Sequence, residues 1–349
     1  MEKQGLDYLL NIGLLLTYKC QIACPHCIIK AGPNRKEKIP VEVAFDWISQ
    51  VSRYREGHVN ILSITGGEPF FDIDYLKDIS DFAAQCGLIP TVVSNAFWAG
   101  SRASAKKVMA NLQSVKMFTF STDVYHQKAI PIENILNAIL AAKELGRPHS
   151  VAVCAADLEE PEYKKTIDTL LKVTEKRRIS SAITFPVGRA AMTLGAGGRA
   201  LASAPCPAAC LSGDSPIIFP DGRVTACIGP VIDIDGDHPL LLGRIGEMSI
   251  EEILDKSETN AALHAIRVWG PKKIISELER RGVGNLLPKE YFENSVCDAC
   301  YRLMSDDKIV SEIEKLAMDE QFMLEVAYGR LYHLGEGGSG IDGEAQPLP

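Results

Sequence analysis

The first half of the chain alternates short apolar segments, typical of buried strands, with longer segments whose apolar residues recur at helical spacing. The series begins with a strand at Leu9–Thr17 and a helix at Val41–Tyr54, and its sixth strand is expected at Ser181–Val187. Six such strand-then-helix units favour a parallel α/β sheet with right-handed crossovers. Since about 185 residues are too few for an eight-unit barrel, which needs ~250, we expect a partial barrel of six units.

Composition excludes several classes of protein. Of the 349 residues, 46% are hydrophobic and 23% are charged, which is typical of a globular protein and not of a disordered, collagenous or coiled-coil one. The net charge of −8 argues against a nucleic-acid partner. The sequence has neither an apolar run of ~18 residues for a membrane helix nor the basic start of a signal peptide. We therefore expect a cytoplasmic protein without a membrane partner.

The sequence pattern changes after Gly188, which predicts a second unit. We expect a barrel over residues 1–190, a linker over 191–204, a smaller domain over 205–334 and a disordered tail over 335–349. Within the second unit, the segments 215–219 and 223–227 flank a Pro-Asp-Gly turn and predict a hairpin. Helices are expected near 249–256 and 273–281, and one closing helix is expected over 306–333.

Three cysteines, Cys20, Cys24 and Cys27, follow the first predicted strand within one tight loop. In a reducing compartment, clustered cysteines indicate metal ligation more often than disulfides. Three thiolates suit a 4Fe–4S cluster with one iron left open, whereas structural zinc sites prefer four ligands. By spacing alone, a zinc knuckle or three incidental thiols are the alternatives.

This loop, with His26 before its third cysteine, resembles the Cys-x3-Cys-x2-Cys motif of the radical S-adenosylmethionine (SAM) superfamily. Thr65-Gly66-Gly67-Glu68-Pro69 is similar to the Gly-Gly-Glu-Pro motif of that family. The resemblance implies a partial (β/α)6 TIM-like barrel and a 4Fe–4S cluster that binds SAM. It also implies reductive cleavage of SAM to a 5′-deoxyadenosyl radical, which abstracts hydrogen from a substrate. An electron donor such as flavodoxin or ferredoxin is then an expected partner.

The resemblance also assigns candidate SAM contacts, each at the end of a predicted strand. Gly66, Gly67 and Glu68 are expected to hold the methionyl ammonium group. The other candidates are Asn95, where Ala96 replaces the family's usual glycine, Ser121 and Asp123 for the ribose or carboxylate, and Val187 near the adenine. Val187 belongs to a Pro-x-Gly-Arg-Ala segment that resembles one in peptide-maturing relatives.

Cysteines of a second group lie in the second unit: Cys210 and Cys227 around the predicted hairpin, and Cys297 and Cys300 in what we expect to be a loop. By spacing they fit either zinc or a 4Fe–4S cluster. Their order resembles the opening of a SPASM domain. Because no later cysteine follows, the resemblance is to the shortened form, the twitch domain, with one auxiliary 4Fe–4S cluster. Cys206 is an alternative to Cys210 as a ligand.

Two cysteines are candidate hydrogen-atom donors to a substrate radical, Cys154 at the end of the fifth strand and Cys206. A small buried hydrophobic residue is the alternative for Cys154. Tyr125-His126-Gln127 follows Asp123 and is either a substrate contact or an ordinary loop.

Three functional hypotheses are open, of which the first two use the chemistry that the resemblance implies. The first is maturation of a ribosomally synthesised peptide by oxidation, crosslinking or epimerisation; a separate peptide-recognition protein is then a candidate partner, because about 15 residues precede the cysteine loop. The second is dehydrogenation or epimerisation of a small molecule, such as an aminoglycoside-like sugar. The third is a non-catalytic iron–sulfur or zinc scaffold.

Overall fold

Six parallel strands form the centre of the computed structural model, which describes residues 9–194, 200–210, 212–213 and 215–336. They lie side by side in chain order: β1 (Asn11–Leu15), β2 (Ile61–Thr65), β3 (Ile89–Ser94), β4 (Met117–Ser121), β5 (His149–Ala155) and β6 (Ile179–Ile183). Five helices connect them: α1 (Val41–Arg53), α2 (Ile73–Gln85), α3 (Arg102–Asn111), α4 (Ile132–Glu144) and α5 (Pro161–Leu170). The predicted six-unit parallel α/β architecture is therefore confirmed, and the described strands leave the sheet open.

Local sequence explains where these helices begin and which face they bury. On α1, Ala44, Ile48 and Val51 are buried at the predicted helical spacing. Asp72 begins α2, because its side chain accepts a hydrogen bond from the N–H of Tyr75.

The second half of the chain extends the same sheet. After the short helix α6 (Arg189–Thr193), the chain forms β7 (Leu201–Ala202) and the predicted hairpin, now β8 (Ile217–Ile218) and β9 (Arg223–Thr225). Strand β8 pairs parallel to β1, and β10 (Leu241–Arg244) continues the sheet beyond β9. A separate pair joins β7 to β11 (Tyr291–Phe292). The division into domains stays a prediction, and residues 195–199 of the expected linker lie outside the described residues.

Two expectations about the C-terminal helices are wrong. The helices are α7 (Ile250–Thr259), α8 (Ala261–Trp269), α9 (Pro271–Arg280), α10 (Val296–Met304), α11 (Asp307–Ala317) and α12 (Glu320–His333). The single closing helix is divided before α12, where the Asp319 side chain caps the N–H of Phe322. Cys297 and Cys300 lie on α10 and not in a loop, because Ser295 caps the N–H of Asp298 and starts a helix there.

The disordered tail expected over residues 335–349 stays a prediction. Glu336 forms ion pairs with Arg267 and Arg330, whereas residues 337–349 lie outside the described residues. Over the described ranges, no helix combines the length and the apolar character that crossing a membrane requires.

Candidate active site

A cavity of about 350 Å³ lies at the carboxyl ends of the parallel strands, the edge at which α/β barrels bind their ligands. Its wall includes the cysteine loop, the strand-end segments of β2 to β6 and the turn after the hairpin. The predicted site residues among its described lining are Cys20, Cys24, Cys27, Gly66, Gly67, Asn95, Ser121, Cys154 and Cys297. The volume lies within the range of small-molecule sites.

The three cysteines of the first group come together on one wall of this cavity. Cys20 and Cys24 are buried, and Cys27 is partly buried. The loop is tightened by hydrogen bonds from the N–H of Cys27 to the carbonyl oxygen of Cys24 and from the N–H of Ala31 to the Cys27 sulfur at 3.3 Å. Burial raises the pKa of Cys20 to about 12, so this thiol keeps its proton unless a metal displaces it. Three sulfurs in one loop are a donor set that fits a 4Fe–4S cluster with one open iron.

Arg189 fastens the cysteine loop from the side of α6. Its guanidinium donates to the carbonyl oxygens of Cys24 at 2.7 Å and Ala31 at 2.5 Å, and its backbone N–H donates to the carbonyl oxygen of Cys27 at 3.0 Å. Gly188, just before it, has φ +61°, and a Cβ there would lie 2.2 Å from the carbonyl oxygen of Ile28. The Gly-Arg pair of the Pro-x-Gly-Arg-Ala segment is therefore required for close packing against the loop.

The glycines of the Gly-Gly-Glu-Pro segment pack against the backbone between β1 and the cysteine loop. The N–H of Gly67 donates to the carbonyl oxygen of Thr17 at 2.6 Å. A Cβ at Gly67 would lie 2.3 Å from the carbonyl oxygen of Lys19, and one at Gly66 would lie 2.6 Å from that of Thr17. Only glycine allows this approach of the two backbones.

Glu68 faces inward and is not one of the described residues that line the cavity. Its carboxylate is fully buried and accepts hydrogen bonds from the N–H of Phe70, the hydroxyl of Ser94 and the N–H of Asn95. Burial raises the pKa of Glu68 to about 7, and these hydrogen bonds oppose part of that increase. The contacts position the end of β3, where the Asn95 amide nitrogen lies 3.8 Å from the Cys20 sulfur.

Asp123 is likewise engaged by the protein. Its Oδ1 accepts from the N–H groups of Tyr125 and His126, both at 2.9 Å, and its Oδ2 lies 2.9 Å from His126 Nδ1 and 3.4 Å from His26 Nε2. Burial would raise the pKa of Asp123, but the hydrogen bonds and charge of His126, together with the interaction with His26, outweigh burial and keep the pKa below its usual value. Asp123 is almost fully buried and, like Val187, is absent from the described cavity lining.

The two imidazoles around Asp123 differ in charge: one is neutral and the other is cationic. Burial lowers the pKa of His26 to about 4, so its ring is neutral. Burial alone would also lower the pKa of His126, but Asp123 and the Cys24 side chain raise it to about 10. The sequence pattern did not predict this group, because His26 precedes Asp123 by about a hundred residues. Both rings line the cavity, and His26 stacks on Tyr125.

Four cysteines of the second group line a smaller apolar cavity of about 30 Å³: Cys210, Cys227, Cys297 and Cys300. Burial and the neighbouring cysteines raise the pKa of Cys227 to about 12 and that of Cys297 to about 11. Cys300 is buried, Cys210 and Cys227 are partly buried and Cys297 is exposed, and four thiols that converge on one cavity fit a cysteine-ligated cluster or zinc. Cys206 is not among the described residues of either cavity, whereas Cys297, Gly229 and Pro230 line both.

Cys154 lies in the wall of the larger cavity, on β5 next to Ala182 of β6. Burial, together with the nearby Asp123, raises the pKa of Cys154 to about 12. The side chain is therefore a neutral thiol at physiological pH.

The chain is similar to one protein-family model and to two named proteins. Residues 14–170 match the model of the Radical SAM superfamily. The chain is 22% identical to YydG of Bacillus subtilis (strain 168), whose name connects it with peptide biosynthesis, over 84% of this chain and 92% of that one. It is 31% identical to the mycofactocin maturase MftC of Mycolicibacterium smegmatis (strain ATCC 700084 / mc(2)155) over 23% of this chain and 20% of that one.

Solved structures give remoter similarities. BtrN in complex with AdoMet and 2-DOIA has a TM-score of 0.38 at 12% identity, covering 74% of this chain and 87% of BtrN. HydG, a maturase of the [FeFe]-hydrogenase, has a TM-score of 0.38 at 13% identity, covering 95% of this chain and 83% of HydG.

Proposed function

Residues 14–170 of this chain belong to the radical SAM superfamily, and on that premise we propose that the protein is a SAM-dependent enzyme that modifies a ribosomally made peptide. The observation that carries the proposal is the relation to YydG. It extends over 84% of this chain, far beyond the superfamily match, and over 92% of a protein whose name connects it with peptide biosynthesis. The partial match to the maturase MftC supports the same substrate class.

Within this proposal, Cys20, Cys24 and Cys27 hold the 4Fe–4S cluster. Once bound, the cluster and SAM supply the hydrogen-abstracting radical that is characteristic of the family. Arg189 keeps the cysteine loop in place, and Glu68, which accepts hydrogen bonds from Ser94 and from the N–H of Asn95, positions Asn95 against Cys20. The cavity wall is mostly apolar and therefore offers few polar groups that could react with a radical.

For SAM itself, the residues that line the cavity remain the direct candidates: Gly66, Gly67, Asn95 and Ser121. Glu68, Asp123 and Val187 are buried behind the cavity, so we propose that they act by positioning neighbouring segments.

The second cysteine group is proposed to hold one auxiliary 4Fe–4S cluster, with Cys210 rather than Cys206 as a ligand. Support comes from the cavity that Cys210 shares with the other three cysteines. Because this cavity and the larger one have Cys297 in common, an auxiliary cluster there would border the substrate space. A cluster in that position could accept the electron of a substrate radical, which favours a net oxidation of the peptide. If the reaction is instead an epimerisation, Cys154 is the candidate hydrogen donor.

The test is anaerobic reconstitution with iron counting, followed by measurement of 5′-deoxyadenosine from SAM under reducing conditions. We expect turnover to rise with a peptide encoded beside the enzyme, and mass spectrometry to reveal a changed peptide mass or stereochemistry. A variant with Cys20, Cys24 and Cys27 all changed to Ala is the control and should form none. Stimulation by an aminoglycoside-like sugar but not by peptide would contradict the peptide assignment, and no 5′-deoxyadenosine under any condition would contradict catalysis.

A further inference from the structure

Strand β6 lies at an edge of the large sheet and, among the described strands, it pairs with β5 alone. Its three central residues are exposed, and none of its five residues is charged. The chain then runs directly into the wall of the active-site cavity, because residues 182–185 line that cavity. The open edge of the sheet and the cavity wall therefore form one continuous surface.

The hydrogen bonds to β5 determine which backbone groups of β6 point outward. The N–H of Thr184 donates to the carbonyl oxygen of Ala155 at 2.8 Å. In a parallel ladder, alternate residues of a strand bond to the same neighbour, so the backbone of Ala182 also faces β5. The N–H and carbonyl groups of Ser181 and Ile183 consequently point away from β5, and they have no hydrogen-bond partner among the described residues.

The opposite edge of the same sheet is protected against pairing. Strand β10 has a register shift between Leu241 and Gly243, and Arg244 at its end forms an ion pair with Asp221 at 3.3 Å. Bulges and charged side chains are devices by which proteins prevent an edge strand from pairing with another chain. Strand β6 keeps a regular register and has no charge, so its edge is open to a further strand.

We propose that the peptide substrate binds as an added strand on the free edge of β6 and continues from there into the cavity. The outward backbone groups of Ser181 and Ile183 hold the peptide in an extended conformation, which is the mode of recognition called β-augmentation. This inference rests on the proposed function, because it takes a peptide as the substrate.

The small side chains of β6 leave space for the side chains of an added strand. Side chains that lie opposite each other on adjacent strands are roughly 5 Å apart, so two bulky residues compete for room. Ser180 and Ala182 project from one face of the strand. Ser181 projects from the other face, where its hydroxyl lies 2.6 Å from that of Tyr163. We therefore expect the bound segment to accept the β-branched and aromatic residues that favour strands.

A second copy of this chain is the other occupant that an open edge can take. Pairing between the β6 strands of two copies would cover the cavity wall at residues 182–185 in both of them. The peptide is favoured because the proposed reaction requires its substrate to reach this wall.

The first measurement is hydrogen exchange of single amides in the reconstituted full-length protein, by mass spectrometry with electron-transfer fragmentation. The probe is a synthetic copy of the peptide encoded beside the enzyme. At ten times its dissociation constant, the peptide should slow exchange of the Ser181 and Ile183 amides about tenfold. The amides of β10, the other edge strand, are the matched control and should exchange as before.

Two substitutions of Ser181 separate its backbone from its side chain. Ser181→Pro removes the outward N–H, and proline is tolerated on an edge strand where that N–H makes no ladder bond. Ser181→Ala keeps the N–H and removes the hydroxyl contact with Tyr163. In anaerobic titration calorimetry, we expect Ser181→Pro to weaken peptide binding about tenfold, because a peptide carbonyl loses its donor. Ser181→Ala should bind the peptide as the wild type does.

Three results would overturn the inference and leave the proposed function standing. The first is unchanged exchange at Ser181 and Ile183 while the peptide binds and raises 5′-deoxyadenosine formation. The second is equal peptide binding by Ser181→Pro and Ser181→Ala. The third is slow exchange at both amides before any peptide is added, since the edge is then covered by a second copy or by another part of the chain. If the peptide neither binds nor stimulates turnover, the proposed function fails, and this inference fails with it.

Discussion

Removing the Arg189 side chain should loosen the cysteine loop without unfolding the barrel. The guanidinium donates two hydrogen bonds, at 2.7 and 2.5 Å, to the carbonyl oxygens of Cys24 and Ala31, residues that are themselves buried. Hydrogen bonds from a charged donor contribute about 1.5–3 kcal/mol each. Since Arg189 is partly exposed and water can replace part of these contacts, we expect Arg189→Ala to lower the free energy of loop opening by about 3 kcal/mol.

The assay is amide hydrogen exchange of the metal-free, anaerobically purified protein, read in peptides that cover the cysteine loop. The amides of Cys20 and Gly32 report on the loop, because they bond to the carbonyl oxygens of Gly32 and Tyr18 respectively. A loss of about 3 kcal/mol corresponds to exchange roughly 150-fold faster, since every 1.4 kcal/mol is about tenfold. Arg189→Lys, which keeps one donor, should give an intermediate rate.

Two controls make this prediction refutable. Thr193→Val removes an exposed hydroxyl that donates to the carbonyl oxygens of Pro25 and Arg189, and should change exchange by less than about tenfold because such a neutral, exposed donor contributes about 1 kcal/mol. Peptides from β4 should exchange as in wild type, since Arg189 makes no described contact there. Wild-type exchange in Arg189→Ala, or equal effects of Arg189→Ala and Thr193→Val, would refute the reasoning.

Three further predictions concern the thiols and a buried imidazole. If the product is an epimer, Cys154→Ala should still form 5′-deoxyadenosine but should no longer form the epimer. In D2O, mass spectrometry should therefore find no peptide that has gained deuterium from the solvent. Cys206→Ala should still form the deuterium-labelled epimer. The thiol would give its hydrogen atom to the substrate carbon, and the sulfur radical would regain an electron from the external donor and a proton. Cys210→Ser should lower the iron content measured by metal analysis, and Cys206→Ser should not. Burial and Arg330 lower the pKa of His264 to about 3, against about 6.5 when unfolded, so the unfolded chain binds the extra proton. The contribution of His264 should lower the free energy of unfolding, measured by urea denaturation, by about 2 kcal/mol from pH 7 to pH 5. In His264→Gln this contribution should be absent.

Sequence periodicity was sufficient for the order of the parallel strands, because most of them are short apolar runs, but it displaced the sixth strand, which lies over Ile179–Ile183 with mostly exposed residues and not over 181–187. It was insufficient at the closing helix. Ile313 and Leu316 before the break and Phe322 and Val326 after it are all buried, so apolar residues continue on both sides. The local signal was Asp319, a residue type that commonly caps helices. Ser295, three residues before Asp298, was the corresponding signal for α10.

The candidate site was predictable where chemistry is local, and not where it depends on contacts across the fold. The cysteine loop lies within eight residues of sequence, and the structure gathers its three thiols on one cavity wall. The direction in which Glu68 points could not be read from its motif, because its hydrogen-bond donors Ser94 and Asn95 come from the next strand of the sheet. Similarly, Asp123 is oriented partly by His26, which lies on the cysteine loop.

The pairing of β8 with β1 explains how cysteines about two hundred residues apart border adjoining cavities. Strand β1 leads into the loop of Cys20, and the hairpin β8–β9 leads to Cys227, so one parallel register, Gly13 opposite Ile217, aligns the two segments. A Cβ at Gly13 would lie 3.1 Å from the Ile217 side chain, so the absence of a side chain there permits the close pairing. The extension of the sheet thus brings Gly229, just after the hairpin, to the common wall of the two cavities, and Cys297 of α10 completes that wall.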